Sequence, residues 1–185
     1  MTIGIDIDDT MTNSSEKIKE YLEKYDEEYS HHLISNFANI IRGFLIDDIT
    51  KQFFNKYAET MGNEIELKEN VKEVIDKLRN DGYKIVIVTA RSDNFYKDAQ
   101  KFCEDYLKRN NINYDKLVTQ QTFKLECCIN EKIDLFIDDA LDTVEDLNNR
   151  GIKTILFNSV HNRDKETSVK RVDNWLELYD AIHKI

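Results

Sequence analysis

Asp6, Asp8 and Asp9, followed by Thr10, stand at the end of a short apolar stretch, Ile3-Gly4-Ile5. Alternation along an extended chain puts Asp6 and Asp8 on one face. Carboxylates at the end of a buried strand are costly unless a metal ion, a cationic side chain or a ring of backbone N–H groups offsets them. Two that point the same way suggest a cation site, against the plainer reading of an acidic surface turn. Groups of the same kind recur downstream. Thr89-Ala90-Arg91 follows the β-branched run Ile85-Val86-Ile87-Val88. Lys124 and Lys132 precede the run Ile133–Ile137, and Asp138-Asp139 ends it. A nucleophilic carboxylate, a second carboxylate for acid–base work, a hydroxyl, a lysine and a metal-binding acidic pair make a set suited to phosphoryl transfer. Any one of them is equally a capping or surface residue. Their joint placement after apolar runs is the signal.

The elements that must position these groups follow from periodicity. Five segments read as buried strands: Ile3–Ile7, Tyr83–Val88, Lys116–Val118, Ile133–Ile137 and Thr154–Phe157. Between them, helical spacing marks Glu69–Asn80, Asp93–Arg109, Lys124–Asn130 and Asp142–Arg150, and Val172–His183 closes the chain around Trp175. Asp81-Gly82 and Gly151 read as helix stops. Strand–helix alternation with near-continuous apolar strands predicts an α/β fold with a parallel sheet covered on both faces. Ligands in such sheets bind beyond the carboxyl ends of the strands, where strand order reverses, and the acidic and hydroxyl groups above collect at those ends. Residues 14–66 break the pattern, being helical throughout, with Ser15 suited to cap the first helix. This is too long for one crossover, and it reads as a helical insertion beside the end of the first strand. The domain organisation expected is therefore 1–13 with 67–185, interrupted by the insertion 14–66. Glu27-Glu28 and Asp47-Asp48 in the insertion read as solvated helix faces. His31-His32, His161 and His183 have no metal-ligand spacing and receive no role.

The chain has 185 residues, 41% hydrophobic and 34% charged, enough for one well-buried domain and too apolar for a disordered one. Its formal net charge of -10 argues against non-specific nucleic-acid binding over the bulk of the surface. A small anionic substrate remains compatible with that charge, because a bound divalent cation reverses the local field. Cys103, Cys127 and Cys128 are an odd number without CxxC spacing, so neither a disulfide framework nor a zinc site is expected. No apolar run approaches the ~20 residues of a membrane span. The first residues lack a secretory-signal pattern, and the expected location is cytoplasmic.

Asp6-Ile7-Asp8-Asp9-Thr10 resembles the first motif of the haloacid dehalogenase-like phosphohydrolases, Asp-x-Asp-x-Thr/Val. Thr89, Lys124 and Asp138-Asp139 are similar to the second, third and fourth motifs in order and in strand context. The closer resemblance is to the 5'(3')-deoxyribonucleotidase-like branch, through Lys124-Leu125-Glu126-Cys127, Ile133–Asp139, Asn162 and the tail Arg171-Val172-Asp173-Asn174-Trp175. Thr10 stands where the mammalian enzymes of that branch have Val. The resemblance implies a three-layer Rossmann-like core with a five-stranded parallel sheet and a small helical cap of the C1 type, formed by the insertion. It implies that Asp6 is the nucleophile and becomes a phosphoaspartate, and that Asp8 is the general acid and base. It implies Mg2+ as cofactor, held by Asp6, the backbone carbonyl of Asp8, and Asp138, with Asp139 orienting a bound water. Phosphate contacts would come from Thr89 and Lys124, with Thr10 and Ala90 beside them; Arg91, like Ser92 after it, follows the second motif and suits a phosphate or sugar contact and an ordinary helix-start turn equally. Lys124 is preferred to Lys132, which adjoins the buried strand and suits a helix-end charge. Phe37 and Arg42 of the insertion are placed to reach a base or phosphate, although packing and surface roles suit them better. The implied partner is a small phosphorylated substrate, a nucleoside monophosphate, acted on by a monomer or homodimer.

Three rival readings remain. One is a phosphatase of the same fold acting on a sugar phosphate or other small metabolite. Another is a phospho-accepting signalling module resembling a receiver domain, which would be phosphorylated stably without turnover. The third is a binding module with a relic site. A P-loop hydrolase is disfavoured, since no G-x-x-x-x-G-K-[ST] is present.

Overall fold

The computed structural model describes residues 1–41 and 47–185. Six strands form one parallel sheet: β1 (Thr2–Ile5), β2 (Lys84–Val88), β3 (Lys116–Val118), β4 (Leu135–Asp138), β5 (Lys153–Phe157) and β6 (Lys170–Val172), in the order β3-β2-β1-β4-β5-β6. Alternate side chains are buried on opposite faces. Ile3, Ile5, Ile85, Ile87, Leu135 and Ile137 pack against helices α4 (Val71–Asn80), α5 (Ala99–Arg109) and α8 (Trp175–Ile182). Val86, Val88 and Phe136 pack against α6 (Lys124–Asn130) and, through Leu147, α7 (Leu141–Asn149). Burial on both faces is why these strands read as apolar runs. Gly4 is required in β1, because a Cβ there would lie 2.4 Å from Phe136 Cδ2 and 2.8 Å from Ile133 Cδ1. Helix α4 buries Val71, Val74, Ile75 and Leu78 at helical spacing and ends at Gly82, whose φ of 87° suits glycine.

The sheet has one strand more than the five expected. β6 adds beside β5, with Ile155 opposite Lys170 and Phe157 opposite Val172. Its three residues, Lys-Arg-Val, bury only the valine, so it carries no apolar run to recognise. Three helices start later than their periodicity predicts, α4 by two residues, α5 by six and α8 by three. Asp93–Asp98 form turns, Asp93 accepting from Ala99 N (2.9 Å), and Asp98 caps α5 by accepting from Lys101 N (2.8 Å). Asn174 caps α8 by accepting from Glu177 N (2.9 Å).

The insertion holds α1 (Ser14–Tyr29), a 3-10 turn over Leu33–Asn36, α2 (Phe37–Ile41) and α3 (Asp48–Glu64). Tyr21, Leu22, Tyr25, Leu33, Ile40, Phe53, Tyr57 and Met61 form its own core, with Phe37 packed against it. Arg42 lies outside the described residues. The chain leaves and re-enters the sheet region at one place, where Asn13 N donates to Glu66 O (3.1 Å) and Lys68 N to Met11 O (2.8 Å). The two acidic patches read as solvated faces are exposed, and Glu28 and Asp47 in them also have partners. Glu28 accepts from Lys56 Nζ (2.8 Å) and Tyr57 Oη (2.9 Å), and Asp47 caps α3 by accepting from Thr50 N (2.7 Å). α1 is held at its start not by Ser15 as a cap but by Asp9, which accepts from Ser15 N (2.8 Å) and from the Ser15 hydroxyl. Asp9 adopts a φ of 56° to do so.

Candidate active site

β1 and β4 are neighbours at the centre of the sheet, where strand order reverses, and their carboxyl ends open the crevice expected of such a sheet. Asp6 follows β1, and its N–H donates to Ile137 O (3.0 Å), so the β1–β4 pairing runs up to the acidic loop. The loop is anchored below by Trp175, whose indole N–H donates to Thr10 O (3.1 Å), and by Thr12, whose hydroxyl donates to Ile7 O (3.0 Å).

Lys124 Nζ donates to Asp6 Oδ1 (2.7 Å) and to Val88 O (2.9 Å), joining the ends of β1 and β2. Both side chains are buried, at 4% and 10% exposure. Lys132, by contrast, is exposed in the turn before β4, at the opposite ends of the strands. Burial pushes the Asp6 carboxyl up to about 8; Lys124 opposes this, and Asp138 and Asp8 add to it. Asp138 and Asp139 rise to about 6, chiefly through burial; Lys124 opposes this at Asp138 and the Asp139 charge adds to it, while His161 opposes it at Asp139 and the Asp9 and Asp6 charges add to it. The oxygens of Asp6, Asp138 and Asp139 lie within 4.8 Å of one another. Asp138 Oδ1 accepts from Ala140 N (2.9 Å), while Oδ2 is buried without a hydrogen-bond partner among the described residues. Three buried carboxylates faced by Lys124 and, at Asp139, by His161 still leave negative charge uncompensated, and the carboxylate oxygens fit a hard divalent cation.

Asp8 has the opposite environment. Arg91 grips it through Nε to Oδ2 (3.0 Å) and Nη2 to Oδ1 (2.7 Å), and Ser14 Oγ donates to Oδ1 (2.5 Å). Burial alone would raise the Asp8 pKa, but the Arg91 charge together with the hydrogen bonds from Arg91 and Ser14 outweighs it and holds the carboxyl below its ordinary value. The Arg91 guanidinium is itself buried over the rings of Tyr106 (5.5 Å), Phe102 (5.8 Å) and Tyr96 (5.9 Å).

A cavity of about 880 Å³ opens above these groups. Asp6, Asp8, Ala90, Lys124, Asp138 and Asp139 line it from the sheet side, with Ser92 and Phe95 beside them and Ile41, Lys51 and Asn55 on the insertion side. Three residues expected to contact phosphate do not line it. Arg91 turns to Asp8 instead. Thr10 is wholly buried in the anchored loop. Thr89 is also wholly buried, its hydroxyl accepting from Arg91 N (3.2 Å). Neutralising a neighbouring carboxylate outcompetes solvent for the guanidinium, a choice that only tertiary structure reveals.

His161, given no role from sequence, lines the cavity with Nε2 2.7 Å from Asp139 Oδ2. Burial would lower its pKa, but the Asp139 contact raises it. It lies in a polar segment without periodicity, and no sequence signal marks it. Asn162 next to it is fully buried, donating to Asp139 O (2.7 Å) and Phe157 O (2.8 Å), and so fixes the acidic pair to the end of β5.

The fold is that of the haloacid dehalogenase-like hydrolases. A haloacid dehalogenase-like hydrolase from Streptococcus pneumoniae superposes with a TM-score of 0.71 at 14% identity, covering 98% of this chain and 97% of that one. A hydrolase from Pseudomonas syringae gives 0.68 at 16% identity over 100% and 99%. A nucleotidase from Clostridium acetobutylicum is 31% identical over 136 residues, 72% of this chain and 68% of that protein. The family described as 5' nucleotidase, deoxy (pyrimidine), cytosolic type C, matches residues 1–185, and the chain belongs to it. It is therefore a phosphoric monoester hydrolase of the nucleotidase family. No helix among the described residues is long and apolar enough to cross a membrane.

Proposed function

We propose that this protein is a magnesium-dependent nucleotidase that releases phosphate from nucleoside monophosphates through a phosphoaspartate on Asp6. The observation that carries the reading is the buried Asp6–Lys124 pair at 2.7 Å, set in the central crevice beside the Asp138–Asp139 pair. Lys124 fixes Oδ1 of Asp6, so the carboxylate is oriented before substrate arrives. Asp6 forms the new bond to phosphorus as the bond from phosphorus to the nucleoside oxygen breaks. Asp8 gives that oxygen its proton. In the second half Asp8 takes a proton from water, which attacks phosphorus, releases inorganic phosphate and frees Asp6. Because Arg91 holds Asp8 as a carboxylate, the proton for the first half enters with the substrate as its phosphate monoanion and is relayed by Asp8, whose carboxylate form then serves the second half.

Asp6, the Asp8 backbone carbonyl and Asp138 would hold magnesium, with Asp139 beside them. The partnerless Asp138 Oδ2 and the closely spaced acidic oxygens support that assignment. The bound ion supplies positive charge to the phosphoryl oxygens. Ala90 and Lys124 line the phosphate end of the cavity, and Thr89 shapes it from beneath. The insertion 14–66 acts as the cap over a core made of 1–13 and 67–185, contributing Lys51 and Asn55 to the cavity wall.

Phosphate release from deoxynucleoside and ribonucleoside monophosphates and from sugar phosphates, with magnesium and with EDTA, tests the reading. Magnesium-dependent release favouring nucleotides is expected. Release from sugar phosphates alone would discard the substrate, and stable phosphorylation without release would favour a signalling module.

A further inference from the structure

Phe123 breaks two local rules at once. It occupies the N-cap position of α6, with φ -109° and ψ 116° and no side-chain capping bond, where Ser, Thr, Asp or Asn would add stability. It is also 87% exposed, the most exposed large hydrophobic side chain among the described residues. An apolar ring left in water at a disfavoured position brings the fold no stability. Such local violations concentrate at functional sites. The ring lines the cavity above Asp6, and the next residue, Lys124, is the one that grips Asp6. The other phenylalanine in the cavity wall, Phe95, is half-buried and packs on Phe54 at 5.1 Å, which leaves Phe123 as the more open ring.

We propose that Phe123 is the platform on which the aromatic base of the substrate stacks, so that it selects nucleotides over sugar phosphates lacking a base. This rests on the nucleotidase reading and names the residue that gives it its substrate class. A planar base covers the exposed ring face while the phosphate reaches Asp6 and Lys124 at the floor. Offset aromatic stacking tolerates any base, so the platform confers a preference for nucleotides rather than for one base.

The test compares thymidine 5'-monophosphate with 2-deoxyribose 5-phosphate, which share the sugar phosphate and differ by the base. The readout is the ratio of their kcat/KM values in wild type, Phe123→Ala, Phe123→Ser and Phe123→Tyr. Loss of stacking should lower the ratio about 5- to 150-fold in the Ala and Ser variants, mainly through KM for the nucleotide. Phe123→Tyr keeps a ring and should restore the ratio. Phe123→Ser supplies a better cap, so its melting temperature should match or exceed that of wild type; a falling ratio is then not a folding defect. A ratio that stays within about twofold of wild type in Phe123→Ala, or that falls equally in Phe123→Tyr, overturns the platform alone. A wild-type enzyme that prefers 2-deoxyribose 5-phosphate overturns the nucleotidase reading and the platform with it.

Discussion

Replacing Asp138 by asparagine should make the metal-free protein more stable while removing its response to magnesium. Asp138 is 2% exposed, and its folded pKa stands at about 6 against an ordinary value of 3.8. A carboxyl raised on folding binds its proton more tightly in the native state. Stability is therefore fully present below about pH 4 and is lost as pH rises to about 6. About two units correspond to about 3 kcal/mol, which metal-free wild type forgoes at pH 8. Asparagine keeps the Oδ1 acceptor for Ala140 N (2.9 Å) and carries no charge. For a chain of this size about 3 kcal/mol raises the melting temperature by roughly 6–12 °C. Thermal unfolding in EDTA at pH 8 should show that gain, and at pH 4 the gain should vanish. Adding magnesium should stabilise wild type and leave Asp138→Asn unmoved. A variant less stable than wild type in EDTA at pH 8 would refute the view that the acidic cluster is electrostatically strained until a cation arrives.

Further expectations follow from single contacts. Asp6→Asn removes the nucleophile and should abolish turnover, with a circular dichroism spectrum like that of the native protein and, in EDTA, a melting temperature no lower than native. Gly4→Ala forces a Cβ to within 2.4 Å of Phe136 and should cost about 1–3 kcal/mol in urea unfolding. Trp175→Phe leaves the buried Thr10 carbonyl without its donor, which should cost about 1–3 kcal/mol and lower kcat by loosening the Asp6–Asp8 loop. Asp9→Ala uncaps α1 at the entry to the insertion and should cost about 1 kcal/mol by the same unfolding assay.

How much of this was legible beforehand depended on whether a residue's partner is local. The strands that carry Asp6 and Asp138 are buried on both faces, so they stand out as apolar runs, and a charge ending such a run is conspicuous. Helix α6 was bounded correctly over Lys124–Asn130, and the structure brings Lys124 rather than Lys132 to Asp6. β6 was missed because an edge strand of three residues with one buried side chain resembles a loop. Arg91 follows the second strand, where a phosphate contact is a fair expectation, yet its partner is Asp8, 83 positions away. Thr10 and Thr89 stand at the expected strand ends but are sealed beneath the cavity. His161 and Phe123 carry no periodic signal; only the folded loop around Asp139 and the exposed cavity rim make them visible.

The most direct test of the account is to quench wild-type protein during turnover of a 5'-32P-labelled deoxynucleoside monophosphate with magnesium, then map the label on the protein. The account predicts an acyl phosphate on Asp6 that forms and decays at least as fast as phosphate is released, and that is absent in Asp6→Asn. Phosphate release without label on the chain, or label on another residue, would contradict it.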